Sequence, residues 1–309
     1  MSAEHWHVLG GGAMGCLFAA ALHKAGLATT LVVKQRNGLP QLTVTLERDN
    51  GKVQLQLPVS EPADSEPISH LLVTTKAYDV CSAVQSLAHR LGEHSQVLLL
   101  ANGMGYAEQL CAALPGPSYY SGTTTAGAYR VAPYHIRPAG AGLTCIGPAV
   151  ASNSRSRAHQ PVAAEPRWFT TFSAAHHPCR WDPDIRKALW LKLAINCAIN
   201  PLTALHHCKN GKLATDPQLA ETVAKLCAEI MLVSAAAGYG EAVVALQRDV
   251  REVIAATAEN QSSMLQDVLA GRRTEIDYIT GYFLNVAHHH GLAAPENEAL
   301  FTRILAHAD

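Results

Sequence analysis

A chain of 309 residues, 48% hydrophobic and 16% charged, has the composition of a globular protein and enough length to bury a large core in one domain or two. Its 24 Lys and Arg stand against 25 Asp and Glu, a formal net charge of -1 that points away from nucleic acid or an anionic membrane as partner. No stretch reads as apolar over the roughly 18 residues of a bilayer span, and the opening MSAEHWHVLGGG lacks the basic and apolar runs of a signal peptide, so a cytoplasmic protein is expected.

The first half alternates strand and helix signals. HWHVLG (5–10) is a short apolar strand, and residues 13–25 form an apolar helix that stops at Gly26. ATTLVV (28–33) is a second, β-branched strand. Residues 42–59 alternate apolar and polar about a DNG turn at 49–51, which predicts a hairpin. HLLVTT (70–75) and QVLLLA (96–101) are continuous apolar runs, as in parallel strands buried on both faces, with a helix over 77–91 between them. The pattern is α/β, an N-terminal Rossmann-type doubly wound sheet. Residues 151–167 are polar and proline-bearing and read as an exposed excursion. From about 183 onward helical periodicity takes over, with helices expected at 184–207, 216–237, 241–258, 261–270 and 275–290. The division is therefore a sheet domain over 1–182 and an all-helical C-terminal domain over 183–309. The eight cysteines form no CxxC pair and read as reduced core residues; the sixteen histidines contain no HExxH or Cys/His ligand set, and no metal is expected.

Residues Gly10, Gly11, Gly12, Ala13, Met14 and Gly15 fit G-x-G-x-x-G. Gly10 permits the tight turn, Gly12 lets backbone approach a pyrophosphate, and Gly15 lets the helix pack on the strand. The motif follows a strand and opens a helix, the context that separates a dinucleotide site from an ordinary glycine turn. At the end of the second strand, where an NAD enzyme carries Asp or Glu, the sequence reads Val33-Lys34-Gln35-Arg36. Cations there suit a 2′-phosphate, so NADP is expected; the competing reading makes both ordinary surface cations. Lys76 and Asn102 each follow a predicted strand at the carboxyl edge, where open sheets bind ligands. The bland alternatives are a solvated helix start for Lys76 and a turn residue before Gly103 for Asn102.

In the helical half, Lys192, Asn196 and Asn200 are spaced by four along WLKLAINCAINP, so they form one polar stripe of about 12 Å on an otherwise apolar helix. Such a stripe either finds partners or lines a cleft, and lysine is costly to bury without a task. Pro201 is expected to kink or end the helix near Asn200. Asn260 to Asp267 is a second polar cluster, in which Ser263 reads equally as a helix cap. Thr274 and Glu275 fit a helix start, a cap followed by a carboxylate in the first turn.

The stretches LGGGAMG (9–15), LLVTTKAYDV (71–80), ANGMG (101–105), SGTTTAG (121–127), WLKLAINCAINPLTAL (190–205) and ENQSSMLQDVLAGRRTEIDY (259–278) resemble the ketopantoate reductase family over essentially the whole chain. That resemblance implies NADPH-dependent reduction of a small 2-keto acid, 2-dehydropantoate, to pantoate, with hydride transfer to the C2 carbonyl. It implies Lys192 as proton donor, Asn196, Asn200, Asn210 and Ser263 as substrate contacts, and Glu275 near both the cofactor and the catalytic lysine. Lys76, Asn102 and Ala128 match cofactor contacts, Asn102 also reaching substrate. Lys34 stands where some relatives have arginine, which removes bidentate phosphate binding. Reduction of another branched 2-keto acid, or non-catalytic NADP binding, are the rival functions; a sensor has no need of the Lys192 stripe. The helical half permits a monomer or a homodimer.

Overall fold

The computed structural model describes residues 4–140, 142–149, 164–176 and 178–306. Two compact units are present, one of residues 1–101 and 106–185, the other of residues 102–105 and 186–309.

In the first unit the strands are His5–Leu9 (β1), Ala28–Val32 (β2), Gln41–Arg48 (β3), Gly51–Ser60 (β4), His70–Val73 (β5), Gln96–Leu99 (β6), Ser118–Thr124 (β7), Gly127–Ala132 (β8), His135–Gly140 (β9), Thr144–Pro148 (β10) and Cys179–Trp181 (β11). They make one sheet in the order β11-β10-β7-β6-β5-β1-β2-β4-β3-β9-β8. Six neighbours, β4-β2-β1-β5-β6-β7, pair in parallel. Numbered along the chain they run 3-2-1-4-5-6, the doubly wound order of dinucleotide-binding sheets, which reverses between β1 and β5. The inner strands β1, β5 and β6 are buried along almost their whole length, as their unbroken apolar runs require.

The helices of this unit are Ala13–Lys24 (α1), Ala77–Gln85 (α2), Tyr106–Ala113 (α3) and Arg167–Ala175 (α4). Gly26, at φ +82°, takes the left-handed turn that ends α1. The expected hairpin is β3–β4, and the end of β4 also pairs in parallel with β2, so one hairpin arm becomes the third parallel strand. The helix expected over 77–91 stops at Gln85 and gives way to a 3₁₀ turn at Ala88–Arg90. Strands β7 to β11 and helices α3 and α4 were not expected: β8, for one, is exposed over most of its length and so carries no alternation. Trp6, Phe18, Trp168 and Phe172 form the aromatic centre of the core. Of the polar segment expected as an excursion, residues 151–163 lie outside the described residues; its end leads into α4.

In the second unit the helices are Ile185–Leu205 (α5, whose first residue belongs to the first unit), Lys212–Thr215 (α6), Pro217–Ala236 (α7), Leu246–Ala256 (α8), Ser263–Leu269 (α9), Thr280–His289 (α10) and Pro295–Ala306 (α11). The start of α7 is written in its sequence: Pro217 opens it and Asp216 accepts from the backbone N–H of Gln218 and Leu219. The helix expected at 241–258 divides into a 3₁₀ turn at Gly240–Val243 and α8. That expected at 275–290 divides at Ile279, where ψ is -90°. Helix α11 was not expected. Its N-terminus is capped from another helix, since Glu229 of α7 accepts from the backbone N–H of Glu296 and Asn297.

Two expectations about α5 are corrected. By length and composition it is apolar enough to cross a membrane, yet 61% of its most apolar window is buried in the protein, and Trp190, Leu193, Cys197, Ala198 and Leu202 lie in the core of the unit: it is a core helix. Pro201 does not end it. The helix runs on to Leu205, because buried residues on both sides of the proline outweigh one lost backbone bond.

Candidate functional site

The glycine turn lies at the sheet's switch point. Gly10, directly after β1, has φ +111°, and a Cβ on it would come within 3.0 Å of the Thr74 and Thr75 backbone beyond β5. Thr74 is tied to the turn, its N–H donating to Leu9 O at 2.9 Å and its hydroxyl to Gly10 O at 3.1 Å. A Cβ on Gly15 would stand 1.8 Å from Gly10 O, so only glycine lets α1 sit this close to β1. Gly12 is the reverse case. It is the N-cap of α1, makes no side-chain cap bond, and a Cβ on it would meet nothing within 4 Å. With no acid in the first turn of α1 and no side-chain cap, the N-terminal end of the helix keeps the positive end of its dipole uncompensated by its own turn. An uncapped helix start beside an open glycine fits a dinucleotide pyrophosphate.

Around this turn, Lys76 is the N-cap residue of α2, half-buried, just past β5. Lys34 is exposed just past β2. Arg36 is engaged elsewhere: its guanidinium lies 3.3 Å from Asp64 and 4.0 Å from Glu61, and its N–H donates to Glu61. Among the described residues that leaves Lys34 as the cation of the pair with no ion-pair partner. Ala128 sits in β8, packed against the core of the unit.

In the second unit α5 is held at both ends. Near its start Trp190 donates from Nε1 to Ser234 Oγ at 2.8 Å and stacks on Tyr239 at 4.4 Å. Near its end Thr203 Oγ1 donates to Ser262 Oγ at 2.7 Å. These anchors fix the helix rotation, and with it the stripe of Lys192, Asn196 and Asn200. Lys192 and Asn196 retain partial exposure, whereas Asn200 is buried at 7%. Burial of the Lys192 ammonium outweighs the attraction of Glu275 and brings its pKa down from 10.5 to about 8.

Glu275 is 4% exposed, and its Oε2 accepts from Asn102 Nδ2 at 3.2 Å. Residues 102–105 belong to this unit: Met104 N–H donates to Tyr278 O at 2.9 Å, and a Cβ on Gly103 (φ +81°) would strike that same carbonyl at 2.3 Å. Asn102, Glu275 and Lys192, scattered in sequence, thus form one electrostatic group. Glu275 was expected in the first turn of an α-helix; it stands instead at the N-cap position of the 3₁₀ turn Ile276–Tyr278 without a side-chain cap bond, while Thr274 Oγ1 accepts from Ile276 N–H.

Ser263 is not a cap. Ser262 caps α9, accepting from Leu265 N–H at 3.1 Å, and Ser263 is exposed beside it. Asn210 is 7% exposed, donates to Thr257 Oγ1 at 2.8 Å, and keeps its Oδ1 buried without a partner. Thr203 and Ser262 escaped the sequence reading. Their only sequence signal is a pair of small hydroxyls next to residues already singled out.

The family model described as Ketopantoate reductase PanE/ApbA matches residues 6–150, and that described as Ketopantoate reductase PanE/ApbA C terminal matches residues 184–308. The chain is 38% identical to a 2-dehydropantoate 2-reductase of Vibrio cholerae, covering 96% of this chain and 95% of that one. It is 39% identical to that of Escherichia coli O157:H7, covering 96% and 93%. Among solved structures it is similar to a probable 2-dehydropantoate 2-reductase of Bacillus subtilis, with TM-score 0.78, 29% identity and coverage of 98% and 99%. A D-mandelate dehydrogenase shares the fold, with TM-score 0.80, 22% identity and 98% coverage of each chain. The chain belongs to the ketopantoate reductase PanE/ApbA family.

Proposed function

We propose that this protein is an NADPH-dependent 2-dehydropantoate 2-reductase, a cytoplasmic enzyme of pantothenate biosynthesis that turns the 2-keto acid into pantoate. The observation that carries the reading is the group Asn102–Glu275–Lys192, an ammonium whose pKa of about 8 lies close to neutral pH, next to a buried carboxylate. Bound NADPH supplies the hydride that reaches the C2 carbonyl carbon. Lys192 donates a hydrogen bond to the carbonyl oxygen, stabilises the negative charge that grows there and gives up its proton to it. Glu275 holds Lys192 charged and oriented, and Asn102 holds Glu275.

Asn196, Asn200 and Ser263 orient the substrate's carboxylate and hydroxyl. Asn210 offers its unpartnered Oδ1 as a further acceptor. The residues assigned to the cofactor are Gly10 to Gly15 at the pyrophosphate, Lys34 at the 2′-phosphate, and Lys76, Asn102, Ala128 and Glu275 along the rest of its length. In this division the sheet unit holds most of the cofactor contacts and the helical unit the proton donor.

The test is NADPH consumption with 2-dehydropantoate, with pyruvate, 2-ketoisovalerate and NADH as controls. Turnover confined to 2-dehydropantoate and NADPH supports the proposal. NADPH binding without reduction of any of these acids would refute it and leave a binding protein or a reductase of some other keto acid.

A further inference from the structure

We infer that Tyr134 is a positioning residue for the cofactor: its ring stands in for the side chain that Gly11 lacks and holds the glycine turn in its phosphate-receiving shape. The inference rests on the NADPH reading above. Tyr134 is the second residue of the two-residue turn between β8 and β9, where Ala132 pairs with His135. Its φ is +56°, a left-handed conformation that suits glycine or asparagine and strains a bulky side chain. A strained tyrosine at a turn that asparagine would make without strain asks for a reason in the ring.

The ring's position supplies one. A Cβ built on Gly11 would stand 2.7 Å from Tyr134 Cε1 and 3.4 Å from Cδ1, so ring and glycine are in direct contact. The hairpin that presents the ring is fixed to the sheet. Thr45 N–H donates to Tyr134 O at 2.9 Å, His135 Nε2 lies 2.9 Å from Glu47 Oε2, and Ile136 is fully buried. The glycine turn is therefore closed on three sides and open on one. Thr74 and Thr75 back Gly10, the Gly10 carbonyl backs Gly15, Tyr134 backs Gly11, and only Gly12 faces free space. Without the ring, the peptides flanking Gly11 lose the surface that limits their rotation, and the N–H groups of the turn lose their aim.

The experiment measures NADPH affinity by fluorescence titration, with steady-state kinetics and thermal melting, in Tyr134→Ala, Tyr134→Gly, Tyr134→Phe and Gly11→Ala, and in Gly11→Ala combined with Tyr134→Gly. Expected are an approximately tenfold weaker Kd and higher KM for NADPH in Tyr134→Ala, with kcat and the keto-acid KM held. Tyr134→Phe restores affinity, because the ring acts and not the hydroxyl. Tyr134→Gly relaxes the backbone, so it melts no lower than Tyr134→Ala yet binds NADPH no better, a separation that a merely structural role would not give. Gly11→Ala weakens binding alone, and adding Tyr134→Gly recovers part of the loss. Wild-type Kd in both Tyr134→Ala and Tyr134→Gly, or fully additive losses in the double variant, would overturn the inference. Failure of the wild-type protein to bind NADPH would instead strike the cofactor reading.

Discussion

The glycine turn and the α5 stripe solve opposite problems. The turn works by absence: at Gly15 a Cβ would collide with backbone, at Gly10 it would press on backbone at 3.0 Å from a left-handed φ, and at Gly12 it would fill open space. The atoms proposed to receive phosphate are N–H groups that every sequence possesses, so what the sequence specifies is the lack of side chains. The stripe works by presence. Lys192 and Asn200 are placed on a core helix at a cost in solvation, and the anchors at Trp190 and Thr203 keep them there. One region is thus limited by shape, the other by electrostatics, and substitutions should fail in different ways.

Lys192→Ala is the sharpest break. We expect kcat to fall about 10³-fold, the scale of a lost proton donor with its charge stabilisation, while the Kd for NADPH holds within a few-fold. Lys192→Met should do the same to kcat and raise the melting temperature by a few degrees. The folded pKa, about 8, lies below the ordinary 10.5, so the charged form is disfavoured by folding. That destabilisation is fully present below pH 8 and gone above 10.5, so the gain from methionine should shrink as pH rises through this window. Near-normal turnover in either variant would remove Lys192 from the chemistry.

The two key glycines test the other region. Gly15→Ala forces a Cβ to 1.8 Å from a backbone oxygen that cannot swing aside, so we expect a loss of about 1–3 kcal/mol in stability together with lost NADPH binding. Gly12→Ala meets no atom. It should melt like the parent yet bind NADPH roughly tenfold more weakly, since the methyl enters the space assigned above to the pyrophosphate. Equal melting losses in the two would mean that the turn is shaped by something other than these contacts.

Glu275→Gln refines the electrostatic half. With protonated Lys192 as the proposed donor, reduction should fall as pH rises through about 8 in the parent. Glu275 raises the Lys192 pKa, so its removal should move that limb to lower pH, a shift read directly from kcat profiles. An unmoved limb would mean that Lys192 is held charged by another group.

Much of this was legible in the sequence, and the gaps share a cause. The glycine turn, the inner strands and the polar stripe are local patterns, set by residues within a turn or two of one another. The pairing of Arg36 with Glu61 and Asp64, the capping of α11 by Glu229 and the contact of Tyr134 with Gly11 join residues 25 to 123 positions apart, and no local period reports them. Asn102 beside Glu275 is the same case at a separation of 173: the resemblance marked each residue but not their pairing.

The smallest effect discriminates between two adjacent serines. Sequence alone leaves Ser263 as either a cap or a ligand contact. In the structure the cap is Ser262, which accepts from Leu265 N–H and from Thr203, while Ser263 lies exposed at the first position of α9. Ser262→Ala should therefore cost about 1 kcal/mol or more in stability, because it removes a cap and leaves the buried Thr203 hydroxyl one acceptor fewer. Its effect on substrate follows only through the looser start of α9. Ser263→Ala should leave the melting temperature within a degree or so, since an exposed hydroxyl outside the cap contributes little to folding. If Ser263 orients the keto acid, the KM for 2-dehydropantoate rises several-fold and the KM for NADPH does not. An unchanged keto-acid KM would leave Ser263 as an exposed surface residue and take it out of the proposed substrate contacts.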